Sequence, residues 1–351
     1  MNTLNDLFAL WREDYDLGVL MLAGGGIIGL LFGIFAERTD FCTRAAFASL
    51  LGGTWRQDGT SLLYLMLAML AAITGVQGLA LTDAVDFSIS GESDLRFGGI
   101  VVGGLFFGIG MALSRGCISR LLVLTGRGNS RALITLGFLG LVAWSSISGV
   151  LSAPRAALAG WLRLPYESGF SPQIAMLTAL VLVAGIVLLR PHRRAPVGGM
   201  IAAVLIGLMV PLAFIVTGML GADDFDPVPL EGLLFTRPIT ESFAYFAYGQ
   251  TLSLKFGIGL IPGCIIGAAV SAAVAGRSHV EGFGPDTPHP LRYLAGATLM
   301  GFGGVVCGGC SVGWMLTNAA IGHQGLLLAF ISMLMGMKLA QASFRFVPQT
   351  A

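Results

Sequence analysis

The chain has 351 residues, 55% of them apolar and only 11% charged, with a mean hydropathy of +0.82. Soluble domains carry roughly 25% charged residues, and one apolar core stops growing near 250–300 residues. A water-soluble globule is therefore excluded, as are a disordered chain and, at a net charge of +1, a basic nucleic-acid binder.

The first residues, 1–16, form a short polar segment holding Arg12, Glu13, Asp14 and Asp16. That is not a basic region followed by a short apolar one, so no cleavable signal peptide is expected. Runs of about 20 apolar residues then predict nine transmembrane helices, at 17–36, 61–82, 97–114, 131–153, 171–190, 197–219, 243–260, 291–306 and 323–343. Four of the spans are followed by a Gly-rich stretch and a short apolar run, at 43–52, 118–125, 265–276 and 311–320. None of these runs can span a bilayer. Helices break at membrane depth only where protein or a polar cavity satisfies the freed backbone groups. The polar stretches 154–170, 221–241 and 277–290 are short loops, so residues 1–351 read as one integral membrane domain with no soluble domain. The expected class is an all-α polytopic membrane protein with re-entrant short helices.

Lys and Arg in short loops set orientation. With the N-terminus outside, fourteen of them (Arg38, Arg44, Arg56, Arg115, Arg120, Arg127, Arg131, Arg190, Arg193, Arg194, Arg277, Arg292, Lys338 and Arg345) face inward, against five outward. The acidic clusters Asp83, Asp86, Glu92, Asp94 and Asp223, Asp224, Asp226, Glu231 then lie outside. The expectation is a periplasmic N-terminus and a cytoplasmic C-terminus.

The five cysteines are spread along the chain, which is not a secreted disulfide framework. Three share a context. Cys42 lies nine residues after Gly33, Cys117 nine after Gly108 and Cys310 nine after Gly301. The local sequences are Asp40-Phe41-Cys42, Arg115-Gly116-Cys117, Pro262-Gly263-Cys264 and Gly309-Cys310. The repetition points to an internal pseudo-repeat of the kind found in transporters. Short helices beginning at the cysteines would aim their electropositive N-termini at whatever sits beside the sulfurs. Neutral thiols there suit a soft, sulfur-bearing anion, with Arg38 and Arg115 drawing it to the inner end. Glu37 and Arg38 close a span, where ionisable residues are functional candidates; Lys255, placed inside the span 243–260, is another. The bland alternative is that the cysteines are small buried hydrophobes and the glycines packing surfaces.

Cys307-Gly308-Gly309-Cys310 is a C-x-x-C, so a membrane thiol-redox protein using Cys307 and Cys310 is the rival reading. A metal site is not expected, because the four histidines are scattered. A metal-ion channel is disfavoured by the scarcity of carboxylates in the spans, and no P-loop is present. No cofactor is called for.

The segments Phe35-Ala36-Glu37-Arg38-Thr39-Asp40-Phe41-Cys42, Ser114-Arg115-Gly116-Cys117 and Gly308-Gly309-Cys310-Ser311-Val312-Gly313 resemble the YeeE/YedE-type sulfur-transport family, the thiosulfate permeases of bacteria. The resemblance runs from about residue 17 to 343. It implies an inner-membrane transporter that takes up thiosulfate or a related sulfur oxyanion, passed inward by Cys42, Cys117 and Cys310. A separate cytoplasmic sulfurtransferase would be the soluble partner. Cys264, Cys307, Glu37, Arg38, Arg115, Gly116 and Gly309 are further candidates for the path. The family pattern has a histidine where this chain has Trp314. An indole donates a hydrogen bond but takes no proton, so this position bears on which sulfur or selenium species is carried.

Overall fold

The computed structural model describes residues 16–52, 59–82, 94–161, 163–165, 171–189, 195–221, 229–249, 254–283 and 289–343. The N-terminal polar segment up to residue 15 lies outside the described residues. So do Arg56, Arg190, Arg193, Arg194 and Arg345, and the acidic residues 83, 86, 92, 223, 224 and 226.

The described chain is almost wholly helical. In order, the helices are α1 (Leu17–Thr39), α2 (Thr43–Gly52), α3 (Thr60–Leu81), α4 (Phe97–Leu113), α5 (Ile118–Gly126), α6 (Ser130–Ser148) and α7 (Ser152–Gly160). They continue with α8 (Pro172–Leu189), α9 (Val197–Leu220), α10 (Thr236–Tyr248), α11 (Phe256–Val274), α12 (Pro290–Val306), a π-helix at Gly313–Asn318 and α13 (Leu326–Ser343). One antiparallel pair, β1 (Asp94–Arg96) with β2 (Arg163–Pro165), interrupts the all-α pattern. Seven segments are long and apolar enough to cross a membrane: α1 with α2, α3, α4 with α5, α6, α9, α11 and α13. With α8 and α12, of 18 and 17 residues, nine helices of this length stand among the described residues. The protein is a multi-pass membrane protein. Its side chains facing outward from α8, among them Met176, Leu177, Leu180 and Val181, are apolar and exposed, as lipid requires.

One predicted span is wrong. Residues 243–260 do not form a helix; α10 ends at Tyr248, α11 begins at Phe256, and Lys255 caps α11 rather than lying inside a span. The expected break at Pro262-Gly263-Cys264 is likewise absent, because α11 runs straight through it. Its glycines explain why. Gly25, Gly29 and Gly33 of α1 abut the carbonyls of Phe256, Leu260 and Cys264. Reciprocally, Gly259, Gly263 and Gly267 abut the carbonyls of Leu22, Gly26 and Leu30. Residue numbers rise together on both helices, so α1 and α11 pack parallel, backbone against backbone, through two small-xxx-small ridges. That contact holds α11 helical across Pro262, whose missing N–H would otherwise weaken the turn.

The same device recurs. Gly104 and Gly108 of α4 abut Ser332 and Met333 of α13, and Gly336 of α13 abuts Leu105, again parallel. Gly103 and Gly110 of α4 face Gly303 and Gly296 of α12, antiparallel. Gly33, Gly108, Gly263 and Gly301, read from the sequence as flanking helix breaks, instead pack helices, whereas Gly116, Gly308 and Gly309 sit at breaks.

The helix contacts resolve the repeat. α1 packs on α11 and α9, and α3 on α9; correspondingly, α4 packs on α13 and α12, and α6 on α12. α10 contacts α6 and α11 as the π-helix contacts α3 and α13. The two blocks are thus α1–α3 with α9–α11, and α4–α6 with α12, the π-helix and α13. They are interleaved in sequence, and matching helices run in the same direction. The end at which α1, α4, α11 and α13 begin is termed the first face, and the opposite end the second.

Candidate functional site

Three helices stop in the left-handed region, each two residues before a cysteine. Asp40 has φ 50°, Arg115 φ 56° and Gly308 φ 79°, followed by Cys42, Cys117 and Cys310. This ends α1, α4 and α12. The π-helix lies within a longer helix at 311–320, so each cysteine directly precedes the start of a new helix, as its N-cap residue. The Cys42 carbonyl accepts from Ala46 N at 3.2 Å, Cys117 from Leu121 N at 3.0 Å and Cys310 from Trp314 N at 2.9 Å. At Cys310 the sulfur takes the place of a capping oxygen. Gly313 N donates to Cys310 Sγ at 3.4 Å, and the N–H groups of Ala45 and Arg120 face the sulfurs of Cys42 and Cys117.

These breaks meet. The thiols of Cys42 and Cys117 face each other, and the Thr43 side chain lies beside the Cys117 sulfur. Thr43 and Ser311 share a hydrogen bond of 2.7 Å, both hydroxyls fully buried, which ties the first break to the third. Cys117 Sγ and Ser119 Oγ are 3.2 Å apart. A fourth helix N-terminus arrives from α10, the pseudo-equivalent of the π-helix. The Phe235 carbonyl accepts from Ile239 N at 3.2 Å, and the N–H groups of Phe235 and Thr236 point at Cys310. Phe235 thus occupies the capping position that cysteine holds elsewhere. Its ring packs on Phe32 at 5.0 Å, and Phe32 on Phe41 at 6.5 Å, which forms an apolar collar beside the thiols.

The result is four electropositive helix ends, three capped by thiols, around one buried point. Among the described residues, no group of His, Cys, Asp or Glu there could hold a metal ion. All five cysteines are free and buried. Two buried polar atoms beside Cys310 have no hydrogen-bond partner of ordinary geometry, Thr236 Oγ1 and Trp314 Nε1. The Trp314 indole lies against Gly309 and the Cys307 sulfur, and its ring meets His323 edge-on at 5.1 Å. Sequence reasoning missed Thr236 and Phe235 altogether, since neither has a motif.

The other candidates divide. Gly116 and Gly309 lie within the breaks. Cys307 Sγ donates to Ile100 O at 3.7 Å and lies against the Trp314 indole beside the third break. Cys264 is buried in the α1–α11 seam. Glu37 and Arg38 belong to an ionic lock at the second face. The fully buried Glu37 carboxylate accepts from Ser271 Oγ at 2.7 Å, Arg127 Nε at 3.1 Å and Arg277 Nη2 at 3.3 Å, and Arg38 Nε donates to Ser271 at 3.1 Å. Asp40 Oδ1 accepts from Arg127 at 2.6 Å and Arg120 at 2.9 Å. Nearby, Glu281 ties the loop after α11 to the start of α6 through Arg131 and Asn129, each at 2.7 Å. His279 and Arg131 hold the Glu281 carboxyl below the usual range. At the first face, Glu241 accepts from Arg237 at 3.0 Å and Lys255 at 3.3 Å. The neighbouring Glu231 is buried, and burial with the Glu241 charge pushes its carboxyl up to about 7.

The chain is similar to known proteins. The chain is 29% identical to the thiosulfate transporter TsuA of Spirochaeta thermophila over 321 residues, covering 85% of this chain and 91% of the relative. It is 24% identical to the thiosulfate transporter TsuA of Escherichia coli over 348 residues, covering 90% and 93%. The sulphur transport family matches residues 38–339, a stretch that holds all five cysteines and every helix break. With a polytopic helical fold, cysteine-capped re-entrant helices and a family match over most of its length, the chain belongs to the sulphur transport family.

Proposed function

We propose that this protein carries thiosulfate, or a closely related sulfur oxyanion, across the bacterial inner membrane, handing it from Cys310 to Cys117 and Cys42. The observation that supports this reading best is the meeting of four helix N-termini at three thiol caps. A dianion leaving water loses a large hydration energy. Helix N-termini return part of it through unpaired N–H groups and aligned dipoles. The thiols are weak donors and acceptors, so each holds the anion loosely enough to pass it on. A strong cation at the same point would trap it. Thr236 Oγ1 and Trp314 Nε1 supply two further donors beside Cys310 and complete the entry station.

On the positive-inside reading the first face is periplasmic, the C-terminus cytoplasmic, and the ionic lock of Glu37 closes the inner side. A dianion entering a negative interior works against roughly 2.3 kcal/mol per charge per 100 mV, about 4–5 kcal/mol in all. Uptake then depends on a coupled ion or on consumption inside, for which a separate cytoplasmic sulfurtransferase has the right chemistry. The test is complementation of a bacterium that lacks thiosulfate uptake. Growth on thiosulfate as sole sulfur source, lost in Cys42→Ala, Cys117→Ala and Cys310→Ala alike, is expected. Growth of all three variants at the parent rate would overturn the relay.

A further inference from the structure

Of the three left-handed residues that precede the cysteines, Arg115 is the least suited to its backbone. Gly308 carries no Cβ, and Asp40 is of a type that tolerates positive φ and binds two arginines there. Arg115 makes neither an ion pair nor a side-chain hydrogen bond among the described residues. An outlier of this kind points to function.

Two more arginines surround it. The first turns of α12 pack on the end of α4, where a Cβ added at Gly296 would meet Ser114 N at 2.8 Å; this brings Arg292 beside Arg115. The contact between Cys42 and Cys117 brings Arg44, the second residue of α2, to the same place. The charges of Arg115 and Arg44 both act on Arg292. Arg44 Nε is buried and makes no hydrogen bond. The carboxylates described at this face are engaged elsewhere: Glu37 and Asp40 by Arg120, Arg127 and Arg277, and Glu281 by Arg131 and His279. The N-terminus of α12 adds its own positive end. Three like charges gathered beside the thiols, two of them without a carboxylate, complement a divalent oxyanion.

We propose that Arg44, Arg115 and Arg292 form a second anion site at the second face, which receives the oxyanion from Cys42 and Cys117 and releases it to water. The site rests on the transport reading above and extends it. It separates two tasks: weak thiols carry the anion through the apolar core, and a hydrated guanidinium cluster sets how readily it leaves. The phosphate of an acidic lipid headgroup shares this chemistry, and the test distinguishes the two.

The full-length protein is placed in nanodiscs of neutral lipid, and binding of radiolabelled thiosulfate is measured at low ionic strength. The Arg44→Gln/Arg115→Gln variant should bind about tenfold more weakly or worse, and the salt dependence of binding should fall with it. The Arg44→Lys/Arg115→Lys variant, which keeps the charge, should retain most of the affinity and so controls for folding. In proteoliposomes the Gln variant should show the matching rise in the thiosulfate concentration needed for half-maximal efflux. Wild-type binding and transport, with the Gln variant unchanged in both, would overturn the arginine site and leave the relay standing. Failure of the wild type to bind or carry thiosulfate would overturn the transport reading itself. Phosphatidylglycerol in the disc that blocks thiosulfate binding to the wild type at all ionic strengths would assign the cluster to lipid and overturn the site as a substrate station.

Discussion

Replacing Glu37 by Gln should destabilise the protein by about 3 kcal/mol, the lower end of the roughly 3–5 kcal/mol that follows loss of one partner of a buried ion pair. The geometry sets that position in the range. Glu37 is fully buried and binds Ser271, Arg127 and Arg277. A glutamine keeps one acceptor but turns an NH₂ toward a guanidinium. Arg127 is cushioned, because it keeps Asp40 at 2.6 Å and the Glu37 carbonyl at 2.9 Å. Arg277, with a side chain 40% exposed, can rehydrate. Asp40 is 54% exposed, so Asp40→Asn should cost about 1 kcal/mol or less, as exposed pairs do. The double variant Glu37→Gln/Arg127→Gln should recover on the order of 1–2 kcal/mol relative to additivity. Denaturant titration of the purified protein in detergent, monitored by intrinsic tryptophan fluorescence, gives all four corners of the cycle. Equal losses for Glu37→Gln and Asp40→Asn, or strict additivity in the double variant, would refute the lock as a buried, coupled unit.

Other consequences are open to measurement. A Cβ at Gly110 would meet Met300 Cγ at 2.6 Å and the Gly296 carbonyl at 2.7 Å, so Gly110→Ala must push α4 from α12. It should cost roughly 1–3 kcal/mol by overpacking and reduce uptake by moving Cys117, whereas Gly78→Ala, with nothing within 4 Å, should do neither. Glu231 sits near 7 in the fold against an ordinary value of 4.5, so its protonated form is the favoured one in the fold. Its contribution is therefore fully present below about pH 4.5 and lost as pH rises through 7, on the order of 3 kcal/mol. Glu231→Gln should remove that slope from thermal-stability profiles between pH 5 and 8 (roughly the window those two values bracket); an unchanged slope would show that another group titrates. Trp314→Phe keeps the ring contact with His323 and removes the indole N–H, so uptake should fall while thermal stability stays within about 1 kcal/mol.

What could be read from the sequence was local. A glycine or charged residue closing one apolar run and a cysteine opening the next marks Cys42, Cys117 and Cys310, because a left-handed stop and an N-cap are written within four residues of chain. Cys264 has the same letters around it and no break. The difference lies in α1, more than 200 residues earlier in the chain, whose glycine ridge fixes α11 as a continuous helix across Pro262. The α10 N-terminus was illegible for the opposite reason: Phe235 caps it where a cysteine stands in the equivalent places, so no motif announces that Thr236 reaches Cys310. The arginines at the second face were visible as topology markers. Their division into those bound to Glu37 and Asp40 and those gathered around Arg115 depends on which helix ends meet.

The most direct test of the account is thiosulfate uptake by the purified protein in proteoliposomes, compared among the wild type, Cys310→Ala, Cys117→Ala, Cys42→Ala and Cys264→Ala. The account predicts concentration-dependent uptake by the wild type, its loss in the three N-cap variants, and near-wild-type uptake by Cys264→Ala, whose sulfur lies in a helix seam. Uptake that survives in the three N-cap variants, or that is lost as fully in Cys264→Ala, would contradict it.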